Sequence, residues 1–328
     1  MKLRFNAYLC RMRMSLLVGL LLGLLLSACG GDQSRRQLVD DAPSIAQTYR
    51  DQTGREIALA KRPDRVISLA PSITEIVFAI GAQAKLVART EACDYPPAAA
   101  DYPPVAVYPT LDLEQIKSYQ PELLLATDEI FSPDDLTLME KLGLPIYLQH
   151  FDSLADVYAG IRELGTVLRV PERANAVADS LAALEARVRD STRHLARYRT
   201  LILISNDPLV VAGGGGYLDR LIEAAGGKNA FGQVEEAYFN TTVEQILQMQ
   251  PEVLILPARR PSVYAELLDQ YPPLYNTPAD VNKQVHIIDP DLLYRPGPRL
   301  LQGLLQLTNM LHAKLTPASF IAPSPTDD

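Results

Sequence analysis

Apolar positions along this chain come in two kinds of run that take turns. Some recur at the three- and four-residue spacing of a helix with one buried stripe, as at Val177, Leu181, Leu184 and Val188. Others are short unbroken aliphatic stretches such as Leu123-Leu124-Leu125 and Val253-Leu254-Ile255, which suit strands buried on both faces. The alternation predicts strands over 65–70, 85–89, 123–126, 145–149, 201–205 and 285–288. It places helices over 74–80, 113–119, 133–142, 217–225, 263–270 and 299–314. Ser132 reads as an N-cap with Pro133 in the first helical turn, and Ser72 as the N-cap of the helix after the first strand. The rhythm changes over 154–168 and 172–197, where helix formers run on and no glycine interrupts the second segment. At ~1.5 Å per residue that second helix would span roughly 40 Å, enough to join two bodies.

The two bodies are related. Asp112-Leu113-Glu114-Gln115-Ile116 and Gln120-Pro121-Glu122-Leu123 return 130 residues later as Thr242-Val243-Glu244-Gln245-Ile246 and Gln250-Pro251-Glu252-Val253. Each copy reads as a helix stopped by proline and followed by a buried parallel strand. The fold class is therefore α/β, with two lobes of mostly parallel sheet flanked by helices and a ligand cleft between them. The expected boundaries are an N-terminal lobe over 61–152, connecting helices over 153–198, a C-terminal lobe over 199–315 and a flexible tail over 316–328.

The first residues carry an address. Lys2, Arg4, Arg11 and Arg13 precede an uncharged apolar stretch from Leu16 to Leu26, and Leu26-Ser27-Ala28-Cys29 follows. These are the n-region, h-region and cleavage site of a signal peptide over 1–28, and the apolar core is shorter than the ~20 residues a bilayer span needs. Leu-Ser-Ala-Cys also resembles a bacterial lipobox, which implies acylation of Cys29 and a membrane-anchored protein on the extracytoplasmic side, in the periplasm. Residues 29–60 then serve as anchor, tether and lead-in, the part from Gly30 to about Ala42 being too polar to pack a core. Four of the 31 Lys and Arg residues and none of the 39 Asp and Glu lie in 1–28. The mature chain thus has 27 basic against 39 acidic residues, a formal charge of −12 that disfavours nucleic acid as partner. Of three cysteines, Cys10 leaves with the leader and Cys29 takes lipid, so Cys93 has no disulfide partner and reads as a small apolar filler.

Several segments together resemble the periplasmic binding proteins of cobalamin, haem and ferric-siderophore ABC importers. They are Arg65-Val66-Ile67-Ser68-Leu69-Ala70-Pro71-Ser72-Ile73-Thr74-Glu75, Asp94-Tyr95-Pro96-Pro97, both Gln-Pro-Glu units, Ala225-Gly226-Gly227-Lys228-Asn229 and Arg295-Pro296-Gly297-Pro298-Arg299. The resemblance covers residues 61–312 and is greatest to the cobalamin-binding branch. It implies a monomer with two lobes on one rigid backbone helix, a shallow cleft, a small-molecule metal chelate as cargo, no catalysis and no catalytic cofactor. The partner would be a dimeric permease in the inner membrane. The resemblance carries the aromatic cleft walls to Tyr95, Tyr108 and Tyr238, and the polar pair of the last cleft loop to Asp291 and Arg295. It carries the permease-docking carboxylates to Glu75 and Glu223, each expected on an exposed helix face. The best-known cobalamin binders have tryptophan at two of the aromatic positions; this chain has none, and tyrosine supplies a flat face and a hydroxyl instead. If the cargo is haem, Tyr95 is the candidate iron ligand; His150, at the end of a strand, could reach the cleft beside it but reads more simply as a loop histidine with its own hydrogen-bond partners.

Other chemistries are weaker. His150, His194, His286 and His312 make no metal-ligand spacing, so a histidine-based metal site is not expected. Gly213 to Gly216 lacks the Gly-Lys-Ser/Thr of a phosphate cradle and reads as a tight turn or a floor under ligand. An α/β hydrolase using Ser72 lacks Gly-x-Ser-x-Gly. A purely structural lipoprotein would leave the repeat unexplained. If Cys29 is the acylated residue, Cys29→Ser should abolish lipid labelling and free the protein from the membrane fraction. Unchanged fractionation of that variant would refute the anchor.

Overall fold

The computed structural model describes residues 47–107 and 111–313, so the leader, Cys29, the tether, Tyr108 and the expected tail lie outside the described residues. A hairpin of β1 (Gln47–Arg50) and β2 (Glu56–Leu59) precedes β3 (Val66–Ser68), α1 (Pro71–Ala79), β4 (Leu86–Thr90) and β5 (Pro104–Val105). Then come α2 (Leu113–Ser118), β6 (Leu123–Thr127), α3 (Pro133–Lys141) and β7 (Ile146–Gln149). Two consecutive helices, α4 (Leu154–Val167) and α5 (Pro171–Thr192), lead to the second half. It contains β8 (Arg199–Asn206), β9 (Leu209–Ala212), α6 (Tyr217–Ala224), β10 (Lys228–Asn229), β11 (Tyr238–Asn240), α7 (Val243–Met249) and β12 (Val253–Pro257). The last elements are α8 (Val263–Gln270), α9 (Pro278–Val281), β13 (Val285–Ile288), α10 (Asp291–Tyr294) and α11 (Leu300–Leu311).

The first lobe is a wholly parallel sheet in the order β5-β4-β3-β6-β7. The second is mixed: β8, β12 and β13 run parallel, β9 and β11 join antiparallel on the other side, and β10 adds to β8. In each lobe the first strand of the sheet, β3 or β8, lies inside it with later strands added on both sides. Open sheets of this kind place their crevice at the carboxyl end of such a strand.

The repeated sentence builds the same joint twice. Proline disfavours the right-handed helical conformation in the residue before it, and Gln120 and Gln250 close their helices in the left-handed region, at φ 47° and 50°. The glutamate two residues on then clamps the neighbouring strand. Glu122 Oε2 accepts from the Asp64 and Arg65 N–H groups (2.7 and 3.2 Å), and Glu252 Oε2 accepts from the Arg199 N–H (2.8 Å). Each glutamate N–H donates back to the arginine carbonyl at 2.7 Å. Arg65 and Arg199 complete the joint by donating from Nε to the carbonyls of Gln120 and Gln250, at 3.1 and 3.0 Å. The helices also begin alike, the side chains of Asp112 and Thr242 accepting from the N–H groups of Gln115 and Gln245.

Three expectations change. The lead-in over 29–60 contains the β1–β2 hairpin, held by buried Asp51, which accepts from the Thr53 and Arg55 N–H groups (3.1 and 2.9 Å). Ile57 and Leu59 point from β2 into the core. The connecting helix ends at Thr192, so its 22 residues span ~33 Å, and the chain turns early to enter β8. At α1 the N-cap is Ala70 with Pro71 at the first position; Ser72 lies inside the helix, because proline's fixed φ starts the helix one residue ahead of the serine.

One hydrophobic cluster runs through both lobes. It joins Ile73, Ile76 and Val77 of α1 to Ile161 and Leu164 of α4, Ala174 and Ala178 of α5, Leu218 and Leu221 of α6, and Leu304 and Leu307 of α11. A continuous packed core of this kind resists wide hinge bending. Among the described residues no helix is long and apolar enough to cross a membrane. Because the Gln-Pro-Glu joints are equivalent, Glu122→Ala and Glu252→Ala should each lower unfolding free energy in urea by about 1 kcal/mol. A cost at one position with none at the other would break the equivalence.

Candidate functional site

The carboxyl ends of the central strands open on a cavity of about 320 Å³ between the lobes. Its first wall is the start of α1, the turn over 127–130 after β6, and Phe151 after β7. The opposite wall is Ile204 of β8, Tyr217 opening α6, Tyr238 of β11, and the loop from Tyr294 to Pro296. The rings are held by their hydroxyls: Tyr217 donates to the Leu293 carbonyl (2.8 Å) and Tyr294 to the Ile204 carbonyl (3.2 Å). Burial raises the pKa values of Tyr217, Tyr238 and Tyr294, so all three phenols are neutral around pH 7.

The glycine run explains how Tyr238 gets there. The N–H groups of Gly213, Gly214 and Gly215 donate to the carbonyls of Ala237, Val234 and Glu236 (3.0, 2.7 and 3.3 Å). A Cβ on Gly215 would stand 1.8 Å from the Glu235 carbonyl oxygen, and one on Gly213 2.1 Å from that of Glu236. Only a strand-end without side chains lets the two backbones meet, and the meeting directs the chain into β11. The floor-or-turn reading thus resolves to a turn packed on backbone.

A chain of charges bridges the lobes behind the cavity. Glu75 of α1 is 3% exposed and accepts two hydrogen bonds from Arg299, at 2.9 Å from Nε and 2.5 Å from a terminal nitrogen. Arg295 lies 2.5 Å from Asp94, 3.3 Å from Asp291 and 3.7 Å from Glu75. Asp291 also meets Arg259 at 2.8 Å. Burial pushes the Glu75 carboxyl up while its carboxylate pushes Arg299 up; an arginine does not release its proton, so the pair stays charged.

At the other end of the cavity His150 joins two carboxylates, Asp128 at Nδ1 and Asp152 at Nε2, both 2.7 Å away. Both ring nitrogens can donate only in the imidazolium form. Burial alone would lower the His150 pKa, but the hydrogen bonds and charges of Asp152 and Asp128 outweigh it and raise it.

Of the residues singled out from sequence, Tyr238 and Arg295 line the cavity. Tyr95 does not; it is 39% exposed, with the Arg299 guanidinium 3.9 Å from its ring centroid, and so braces the charge bridge. Asp291 is occupied by arginines and lies outside the cavity wall. Tyr108 is not among the described residues. Glu75 is corrected: it is a buried interlobe anchor, because Arg299 reaches it across the cleft. Glu223, with a side chain 42% exposed and 3.3 Å from Arg220, does stand on the surface. Cys93 is buried, which pushes its thiol up to about 11, so it packs as an inert thiol. Among the described residues no group of three or more His, Cys, Asp or Glu is arranged to hold a metal ion.

Sequence reasoning missed Phe151, Tyr217, Asp128 and Glu129. A signal existed for Tyr217, an aromatic residue directly after four glycines and before a helix; the others follow strands at no motif.

The periplasmic binding protein family model matches residues 66–292. The chain belongs to this family. It is similar to the vitamin B12-binding protein of Pectobacterium carotovorum, at 30% identity over 78% of this chain and 91% of the relative. The vitamin B12-binding protein of Vibrio parahaemolyticus is 29% identical over 76% and 90%. Among solved structures, the periplasmic vitamin B12-binding protein of Vibrio cholerae superposes with a TM-score of 0.69 at 28% identity, covering 77% of this chain and 98% of that one. A periplasmic haem-binding protein of Pseudomonas aeruginosa gives 0.68 at 28%, covering 78% and 96%. Members of the family bind small molecules and serve ABC importers.

Removing the Glu75 carboxylate would leave half-buried Arg299 without its main partner and empty a buried site on α1. Glu75→Ala should therefore cost about 3–5 kcal/mol of stability, and Glu223→Ala within about 0.5 kcal/mol. Equal melting temperatures for the two variants would show that the bridge does not hold the lobes.

Proposed function

We propose that this chain is the substrate-binding lipoprotein of an ABC importer and that its interlobe cleft captures cobalamin or another corrinoid. The observation that carries the reading is the cavity wall itself, in which Tyr217, Tyr238, Tyr294 and Phe151 gather at the carboxyl ends of both sheets. Flat aromatic faces suit a macrocycle, and the polar groups of the wall, Asp128, Glu129 and Arg295, suit its neutral amides. A cavity of about 320 Å³ takes one face of such a ligand and leaves the rest in the open cleft. The relatives named for vitamin B12 support the same cargo.

Haem is the second reading, supported by the haem-binding neighbour. It needs an axial ligand to iron. His150 has both nitrogens on carboxylates and Tyr95 sits outside the cavity, so corrinoid is the better fit.

Delivery is to a permease dimer, with exposed Glu223 as the docking carboxylate of the second lobe; Glu75, buried, does not share this role. Acylated Cys29 would keep the protein at the periplasmic face of a membrane.

The test is a titration of purified protein with cyanocobalamin and with haemin, by calorimetry and absorbance. Cyanocobalamin should bind, and Tyr238→Ala should weaken it by about 1–3 kcal/mol through lost apolar contact. Glu223→Ala should keep that affinity and lose capture by the cognate permease. Tight haemin binding with no cyanocobalamin heat would overturn the corrinoid reading.

A further inference from the structure

The polar lining of the cavity is lopsided in charge. Asp128 and Glu129 stand together on the first-lobe wall, and Arg295 is the basic residue on the other. The Arg295 charge is already balanced, since Asp94, Asp291 and Glu75 all lie within 3.7 Å of it. Asp128 is partly balanced by His150, but His150 also serves Asp152, so that trio keeps a net negative charge even with the imidazole protonated. Glu129 has no basic side chain within ion-pair distance among the described residues, where the ion pairs of this wall are those of His150. It sits at the rim, exposed to the cleft, while the surrounding walls and neighbouring Asp128 raise its pKa.

We infer that the Asp128–Glu129 wall makes the cleft select by charge, admitting macrocycles whose edge bears neutral amides and rejecting those whose edge bears free carboxylates. The chemistry is one of donors and acceptors. An ionised carboxylate only accepts hydrogen bonds, and a primary amide offers it two N–H donors. A ligand carboxylate in the same place brings acceptor against acceptor and like charge against like charge, in a cleft that water only partly screens. The selection rests on the reading of the cavity as a macrocycle site, and it would act at the wall opposite the tyrosines, independently of the metal in the ligand.

The experiment uses two ligand pairs that differ only in edge charge. One is cyanocobalamin and its monocarboxylic acid, made by hydrolysing one peripheral amide; the other is haemin and its diamide. For any pair that binds, the amide form should bind the wild-type protein roughly tenfold more tightly at low salt, and added salt should shrink that ratio. The double variant Asp128→Asn/Glu129→Gln should bring the ratio to within about threefold. Glu129→Gln alone leaves the Asp128–His150 pair intact and should reduce the ratio to an intermediate value, which keeps the test valid if the double variant folds poorly. A wild-type ratio near one, or a ratio unmoved in both variants, overturns the inference. If cyanocobalamin and its acid fail to bind but the haem pair shows the ratio, the corrinoid reading falls and charge selection stands. If cyanocobalamin and its acid bind equally, charge selection falls and the corrinoid reading stands. Failure of all four ligands to bind overturns both.

Discussion

The pairing of Glu75 with Arg299 is the contact on which the cleft depends. It joins the first helix of one lobe to the start of the last helix of the other, residues 224 apart in sequence, and it is buried on the glutamate side and half-buried on the arginine side. Charges taken out of water tolerate little displacement, since losing the partner exposes the full desolvation cost. Arg299 therefore fixes where the preceding loop runs. Gly297 in that loop comes close to the Ser72 backbone, where a Cβ would lie 3.3 Å from the carbonyl oxygen. Arg295 and Tyr294, four and five residues before Arg299, take their places on the cavity wall as a consequence.

The aromatic side of the cavity depends on a different constraint, the close approach of two backbones at the glycine run. That approach sets β11 beside β9 and brings Tyr238 next to Tyr217, so a patch without side chains positions the side chains that face the cavity. The two constraints act on different loops of the same lobe. Both are braced by the continuous core through α4, α5 and α11, which keeps the lobes at a set spacing and suits a preformed, shallow site.

A binding protein that gives up its cargo to a transporter gains from this arrangement. On the proposed reading, broad apolar contact would supply affinity without enclosing the ligand, and the open side of the cleft would remain for transfer. Tyrosines, Phe151 and an acidic pair face the cavity, the Glu75–Arg299 pair ties the lobes together, and Glu223 stands on the surface of the second lobe. The comparisons identify the family, and the wall chemistry at Asp128 and Glu129 bears on which cargo within that family fits.

What the sequence determined by itself was local or repetitive. The strand and helix alternation, the N-cap at Ser132, the α8 and β13 spans and both Gln-Pro-Glu joints follow from periodicity and backbone chemistry acting over a few residues. Tyr238 and Arg295 were legible because motifs flank them. The hairpin at 47–59 was not, since two four-residue strands with half-polar faces carry little pattern; only the Asp51 to Gly54 turn and the apolar Ile57 and Leu59 hinted at it. The fate of Glu75 was decided by tertiary structure alone. On its helix it resembles a solvent-facing glutamate, and its burial arises because Arg299, far along the chain, folds over it. Asp128, Glu129 and Phe151 belong to the same class: they meet Tyr217 and Tyr294 through the sheet order and the lobe spacing, which no local run of residues specifies.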